Sequence, residues 1–152
     1  MKTTAQPTTT TTRTSKATTT SRPAASGLAA YRDEVLRLVN AERQKAGVSP
    51  LSADSGLHQV AQLRAEETIV QFDHTRPNGE SFYTALQQAG ISYRTTGENI
   101  AMGQRTPADV MNAWMNSSGH RQNILNASYG KLGVGYVTDA SGRAYWVQIF
   151  TN

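Results

Sequence analysis

The sequence predicts an α+β domain in which helices pack on a small antiparallel sheet. Apolar residues recur at three- and four-residue spacing from Leu28 onward, while the segment from Lys131 to the end switches to β-rich runs joined by a turn. Helices come first and strands last, without the regular alternation that parallel sheets require, and no internal repeat is present.

Met1 to Ser26 stands apart. It holds eleven threonines, no aromatic and no acidic residue. Such a stretch cannot bury enough apolar surface to offset the entropy of ordering it, so residues 1–26 read as a disordered Thr-rich linker or tail and residues 27–152 as the domain. Lys2, Arg13, Lys16 and Arg22 lie in the tail and leave eleven basic against eleven acidic residues in the rest. The sequence pI of about 9.6 therefore gives no nucleic-acid-binding face, and no nucleic-acid partner is expected.

The chain has no cysteine, which removes disulfides and thiolate chemistry. No apolar run is long enough for a signal peptide or a membrane span. Thr-rich, Pro-containing tethers commonly join domains outside the cell, so the expectation is a linker and one domain from a longer extracellular or cell-surface protein, with Met1 foreign to it.

Within the domain, "LAAYRDEVLRLVNAERQKAG" places Leu28, Tyr31, Val35, Leu38 and Val39 on one face of a helix that Gly47 stops. Asp54 or Ser55 caps a second helix, with Leu57, Ala61, Leu63 or Ala65, and Ile69 facing inward. "HTRPNGES" is a loop. A third helix runs from Phe82 to Ala89 and ends at Gly90. "TTGENIAMG" reads as irregular or briefly extended. Thr106, Pro107 and Asp109 start the next helix, which turns Val110, Ala113 and Trp114 inward. "NSSGHRQNIL" then delivers His120 into another helix, with Gly119 permitting the sharp entry and Ile124 and Leu125 anchoring it. "KLGVGYVT" and "RAYWVQIF" form a hairpin around Asp139 to Gly142, and Gly133 and Gly135 leave one strand face bare for close packing.

The candidates for chemistry are few. His58, beside Gln59 inside a helix, reads as a surface position. His74 and His120 flank loops, where functional side chains concentrate, although a histidine near a helix end also serves its dipole. Glu98, in a polar island before Ile100 and Ala101, must face solvent or meet a partner. Two imidazoles and a carboxylate suit zinc or a similar divalent metal. HExxH, GxSxG, a phosphate-binding loop and paired carboxylates are all missing. Asn116 and Asn126 match glycosylation acceptors, relevant only in a eukaryotic secretory pathway.

"FDHTRPNGESF", "GENIA", "AWMNSSGHRQNIL", "LGVGYV" and the terminal "YWVQIF", in that order, resemble the CAP superfamily of cysteine-rich secretory, antigen 5 and pathogenesis-related 1 proteins, in its short bacterial branch without cysteines. The resemblance covers Leu28 to Asn152. It implies a three-layer α-β-α sandwich with a central antiparallel sheet, and a cleft with two histidines and two acidic residues at which several members bind a divalent cation. His74 and His120 match the histidines and Glu98 the acid of "GEN". The second acid falls at Ser117, which cannot neutralise a cation, so any metal is expected to bind weakly.

By the same resemblance His74 and His120 are the metal ligands, with Glu98 acting directly or through water and also standing as candidate general base. No organic cofactor is implied. A monomeric binding or interaction module for an extracellular protein, cell-wall or lipid ligand is expected ahead of catalysis, with a metal-dependent hydrolase or a lipid or sterol binder as alternatives. Tyr83, Met102, Met111 and Met115 would line a lipid groove, but at helical spacing they read first as core, as do Trp114 and Trp146.

Overall fold

The structure, a computed structural model, describes residues 24–152. The reading of residues 1–26 as a tail lies outside it apart from Ala24 to Ser26, which open the first helix. The elements run α1 (Ala24–Lys45), β1 (Ser52–Ala53), α2 (Ser55–Val70), α3 (Tyr83–Gln88), β2 (Thr96–Met102), α4 (Pro107–Met115), α5 (Ser118–Leu125), β3 (Lys131–Thr138) and β4 (Ala144–Thr151).

Turn and cap chemistry set most boundaries. Gly47 and Gly90 follow α1 and α3 with φ of 72° and 70°, a conformation that side chains with a Cβ avoid. Asp54, rather than Ser55, caps α2 by accepting the Leu57 N–H at 2.9 Å. Thr106 caps α4 by accepting the Asp109 N–H at 3.1 Å, and Pro107 occupies the first turn, where its missing N–H costs nothing. α5 begins differently: Ser117 is its cap residue and Gly119 is helical, with no positive φ, so the chain enters this helix without the glycine turn expected from the sequence.

The four strands are ordered β1-β3-β4-β2, with β4 antiparallel to both neighbours and β1 parallel to β3. The stretch that reads as irregular or briefly extended is therefore a full strand. "TGENIAM" forms β2, a full partner of β4 over Thr96–Met102, because its polar residues find buried partners instead of water. The hairpin turns at Asp139–Gly142 as expected, with the Asp139 N–H donating to Arg143 at 3.0 Å.

Strand alternation divides β4 between two cores. Val147 and Ile149 face α2 and α3, where Leu57, Val60, Ala61, Ala85 and Leu86 cover them. Trp146 and Phe150 face α1, α4 and α5, where Val35, Val39, Val110, Trp114 and Ile124 do the same. The domain is thus a three-layer α-β-α sandwich. A Cβ on Gly133 or Gly135 would overlap the backbone of Leu57 or Ala61, so the bare glycine face seats α2 directly on β3.

That close seating explains two departures from the expected pattern. The buried face of α2 is Leu57, Val60, Ala61, Arg64, Ala65 and Thr68, while Leu63 and Ile69 are exposed. His58 is no surface residue either: its Nδ1 accepts the N–H of Val134 at 3.0 Å. Gln62, one turn on, accepts from the Tyr136 N–H at 3.1 Å and donates to the Tyr136 carbonyl at 2.8 Å. Arg32 of α1 donates to the Val134 carbonyl at 2.8 Å. Beyond the two residues of β1, helix side chains take the place of the next strand along β3. Among the apolar candidates, Met111, Trp114 and Trp146 are core, whereas Tyr83 and Met102 are exposed. Ala113 is only partly buried.

Candidate functional site

β2 lies at the opposite edge of the sheet, and its alternation organises the site. Consecutive residues on a strand point to opposite faces. Glu98 accordingly projects into the α2 layer and Asn99 into the α5 layer, and each engages one of the two histidine segments.

On the α2 side, Glu98 is fully buried and both its oxygens are engaged. Arg64 donates from Nε to Oε2 at 2.7 Å and from Nη2 to Oε1 at 3.1 Å. His74 lies 2.9 Å from Oε1 through Nδ1. A carboxylate can only accept, so the proton of this bond sits on Nδ1 and Nε2 faces outward from a side chain that is 55% exposed. The hydrogen bond to Glu98 raises the His74 pKa above the ordinary imidazole value against the opposing effect of burial, and the charges of Glu98 and Asp73 add to the rise.

The loop that carries His74 is fixed by two arginines that the sequence reading passed over. Arg64 also donates to Glu67 at 2.7 Å and to the Asp73 carbonyl at 2.7 Å. Arg76 forks onto Glu67, with its Nη2 at 2.8 Å, and reaches Thr84 and Gln88 of α3 at 2.9 and 3.0 Å. A buried ion pair is tolerable only when its remaining donors and acceptors are satisfied, and here nearly every arm of both guanidinium groups is used. The available signal was Arg64 at an inward position of α2, with Glu67 one turn later.

On the α5 side, Asn99 donates to the His120 carbonyl at 3.1 Å and to Gln148 at 3.0 Å. Asn123 donates to the Asn99 side chain at 2.8 Å and to the Glu98 carbonyl at 3.3 Å. Trp114 donates from its indole to the Ile100 carbonyl at 3.2 Å. The Asn99 and Asn123 bonds pin α5, and His120 near its start, against β2, and the Trp114 bond ties α4 to the same strand. His120 is partly buried, and burial followed by the charge of nearby His74 lowers its pKa. The two rings are therefore pushed apart, the pKa of His74 upward and that of His120 downward.

Ser117 is half-buried and makes no capping bond with its hydroxyl. Among the described residues, no three His, Cys, Asp or Glu side chains are grouped to hold a metal ion. The nitrogen donors left by these bonds are His74 Nε2 and the His120 ring, with Glu98 turned to Arg64 and no carboxylate at Ser117. A structural zinc site takes four protein ligands and a catalytic one usually three, and this set supplies neither.

The family model for the CAP cysteine-rich secretory protein family matches residues 36–150. The chain belongs to the CAP family. An uncharacterized Bacillus subtilis protein, YkwD, is 47% identical over 135 residues, which cover 88% of this chain and 51% of that protein. The chain thus spans about half the length of that relative. A solved extracellular protein of Bacillus anthracis containing an SCP domain is 27% identical with a TM-score of 0.75, covering 82% of this chain and 41% of that one. An outer surface protein of Borrelia burgdorferi shares the fold at a TM-score of 0.72 and 23% identity, over 79% and 90% of the two chains. Among the described residues no helix of this CAP domain is long and apolar enough to cross a membrane.

Proposed function

We propose that this CAP domain is an extracellular binding module whose recognition site is the cleft between His74 and His120. The observation that carries this reading is the commitment of Glu98. A general base or a metal-bridging carboxylate needs an oxygen free toward water, and Glu98 is fully buried with its oxygens on Arg64 and His74. It is a positioning residue for the His74 ring. Solved proteins of this fold include an extracellular protein and an outer surface protein, which supports the location.

His74 and His120 would be the residues to hold a divalent cation at this cleft, weakly for want of a third protein ligand, and the cation would supply a positive centre for a ligand oxygen. Zinc titration followed through the imidazole resonances, with the His74→Ala, His120→Ala double variant as control, tests the pair. Both rings shift together at a weakly held metal, and the double variant stays silent. Zinc-dependent hydrolysis of peptide or ester substrates that disappears in Glu98→Gln would overturn the binding-module reading in favour of a metal-dependent hydrolase.

A lipid or sterol carrier is less well supported. A groove of about 920 Å3 follows α1, but Asp33, Arg37, Asn40 and Gln44 stand in its walls beside Leu36, Ala41, Val48 and Pro50. An acyl chain seated there would have to desolvate those charged and amide groups.

A further inference from the structure

A separate cavity of about 310 Å3 opens where the β3–β4 turn meets the end of β2, and it shares no residue with the histidine cleft. Its walls are Gly103, Arg105, Ser141, Gly142, Arg143 and Ala144. We propose that this cavity binds a phosphate-bearing anion, a phosphate monoester or diester, gripped between Arg105 and Arg143.

The frame is fixed before any ligand arrives. The Gly103 N–H donates to the Ala144 carbonyl at 2.8 Å and locks one wall to the other. Asp139 holds the turn by accepting from the Ser141 N–H at 2.9 Å, the Ser141 hydroxyl at 2.6 Å, the Arg143 N–H at 3.0 Å and the Tyr145 hydroxyl at 3.1 Å. These bonds, the one from the Ser141 hydroxyl first, hold the Asp139 carboxyl down to a pKa of about 2. The carboxylate is spent on the turn, and Arg143, four residues on, makes no ion pair with it.

Both arginines are exposed, and neither forms a salt bridge among the described residues. Arg94 and Arg121 are also exposed and make no salt bridge among the described residues, but neither lines this cavity, whereas Arg105 and Arg143 line it together. Gly103 and Gly142, with φ of 99° and 83°, have nothing within 4 Å of the place a Cβ would take, so the approach stays open. A guanidinium offers two parallel N–H donors to a pair of anionic oxygens. One such fork satisfies a carboxylate; two forks lining one cavity match the several oxygens of a phosphate. The spent charge of Asp139 leaves the cavity with a modest positive excess, which makes binding weak and sensitive to salt.

The same phosphate could come from a soluble ester or from a lipid headgroup. Met102 beside the cavity and Phe72 against Tyr145 are each 41% exposed and offer an apolar shelf to the second source. The test uses the whole chain and inorganic phosphate at constant ionic strength, read by NMR at the Arg105 and Arg143 Nε–H groups and the Gly103 and Gly142 amides. Saturable shifts at millimolar phosphate are expected. Arg105→Gln and Arg143→Gln each weaken the affinity about tenfold and together abolish it, while thermal stability and the His74 resonances stay unchanged. Co-sedimentation with phosphatidylglycerol vesicles but not phosphatidylcholine vesicles, lost in the double variant, assigns the phosphate to a headgroup. Phosphate shifts without sedimentation assign it to a soluble ester. Absence of saturable shifts, or shifts that survive the double variant, would sink the proposal.

Discussion

The two edges of the sheet solve one problem in different ways. A strand edge exposes unpaired N–H and C=O groups that must be covered or paired. At β3 the cover is Arg32, His58 and Gln62, whose side chains act as a surrogate strand and serve both polar groups of Val134 and Tyr136. At β2 it is Asn123 and Trp114, which serve the carbonyls of Glu98 and Ile100. A histidine is consumed at the first edge, its Nδ1 fixed as an acceptor. At the second, two histidines stand beside the covered edge with ring nitrogens to spare. The same side chain is structural or available according to whether the backbone needs it.

Replacing Arg64 by Met should strike the β2 edge hardest. It leaves Glu98 buried without its arginine, takes one of two arginine partners from Glu67 and leaves the Asp73 carbonyl without its donor, a loss on the order of 3–5 kcal/mol. Chemical denaturation should show it directly, and a loss under about 1 kcal/mol would mean that the pair is not buried in solution.

Gly135→Ala should come next, at about 3 kcal/mol, by forcing α2 off β3 and misaligning His58 and Gln62. A midpoint close to that of the parent would show that the helix seats less closely than the geometry requires.

The pH dependence separates the edges further. His58 must be neutral to accept from Val134, and burial, then the charge of Arg32, lowers its pKa. Its contribution is present above the ordinary imidazole value of 6.5 and is lost as pH falls from there through the lowered folded value. His74, with its pKa raised by Glu98, contributes stability that is complete below 6.5 and lost as pH rises through the raised folded value. Melting temperatures of His58→Gln and His74→Gln, each subtracted from the parent across roughly pH 5 to 8, where imidazoles titrate, should therefore slope in opposite directions. Parallel slopes would contradict the assignment of donor and acceptor.

The smallest effect is expected from Ser117→Glu. At a half-buried cap position it should change stability by under about 1 kcal/mol, while placing a carboxylate at the cleft and tightening zinc binding. Unaltered zinc affinity would show that Ser117 does not face the histidine pair.

Much of the fold was legible because its signals are local. Gly47, Gly90 and the Thr106–Pro107 start mark helix ends through their own backbone chemistry, and the hairpin declares itself in β-rich runs around "DASG". What escaped depends on distant partners. "TGEN" reads as irregular or briefly extended because polar residues suit water, and Arg64, 34 residues away from Glu98, makes burial tolerable there. His58 looks exposed until β3, 76 residues later, presents an N–H to it. At the site, motif resemblance picked out His74, Glu98, Ser117 and His120. It did not reveal that Glu98 turns toward the interior, nor that Arg64, Glu67 and Arg76 hold the loop.

β2 has one strand neighbour, β4, spanning Ala144–Thr151. Glu98 and Asn99, which support the two histidines, are held in their opposed directions by that pairing. The segments bearing His74 and His120 are thus aligned by a strand that follows both in the sequence. Any partner that recognises the cleft therefore recognises a domain in which β4 has docked.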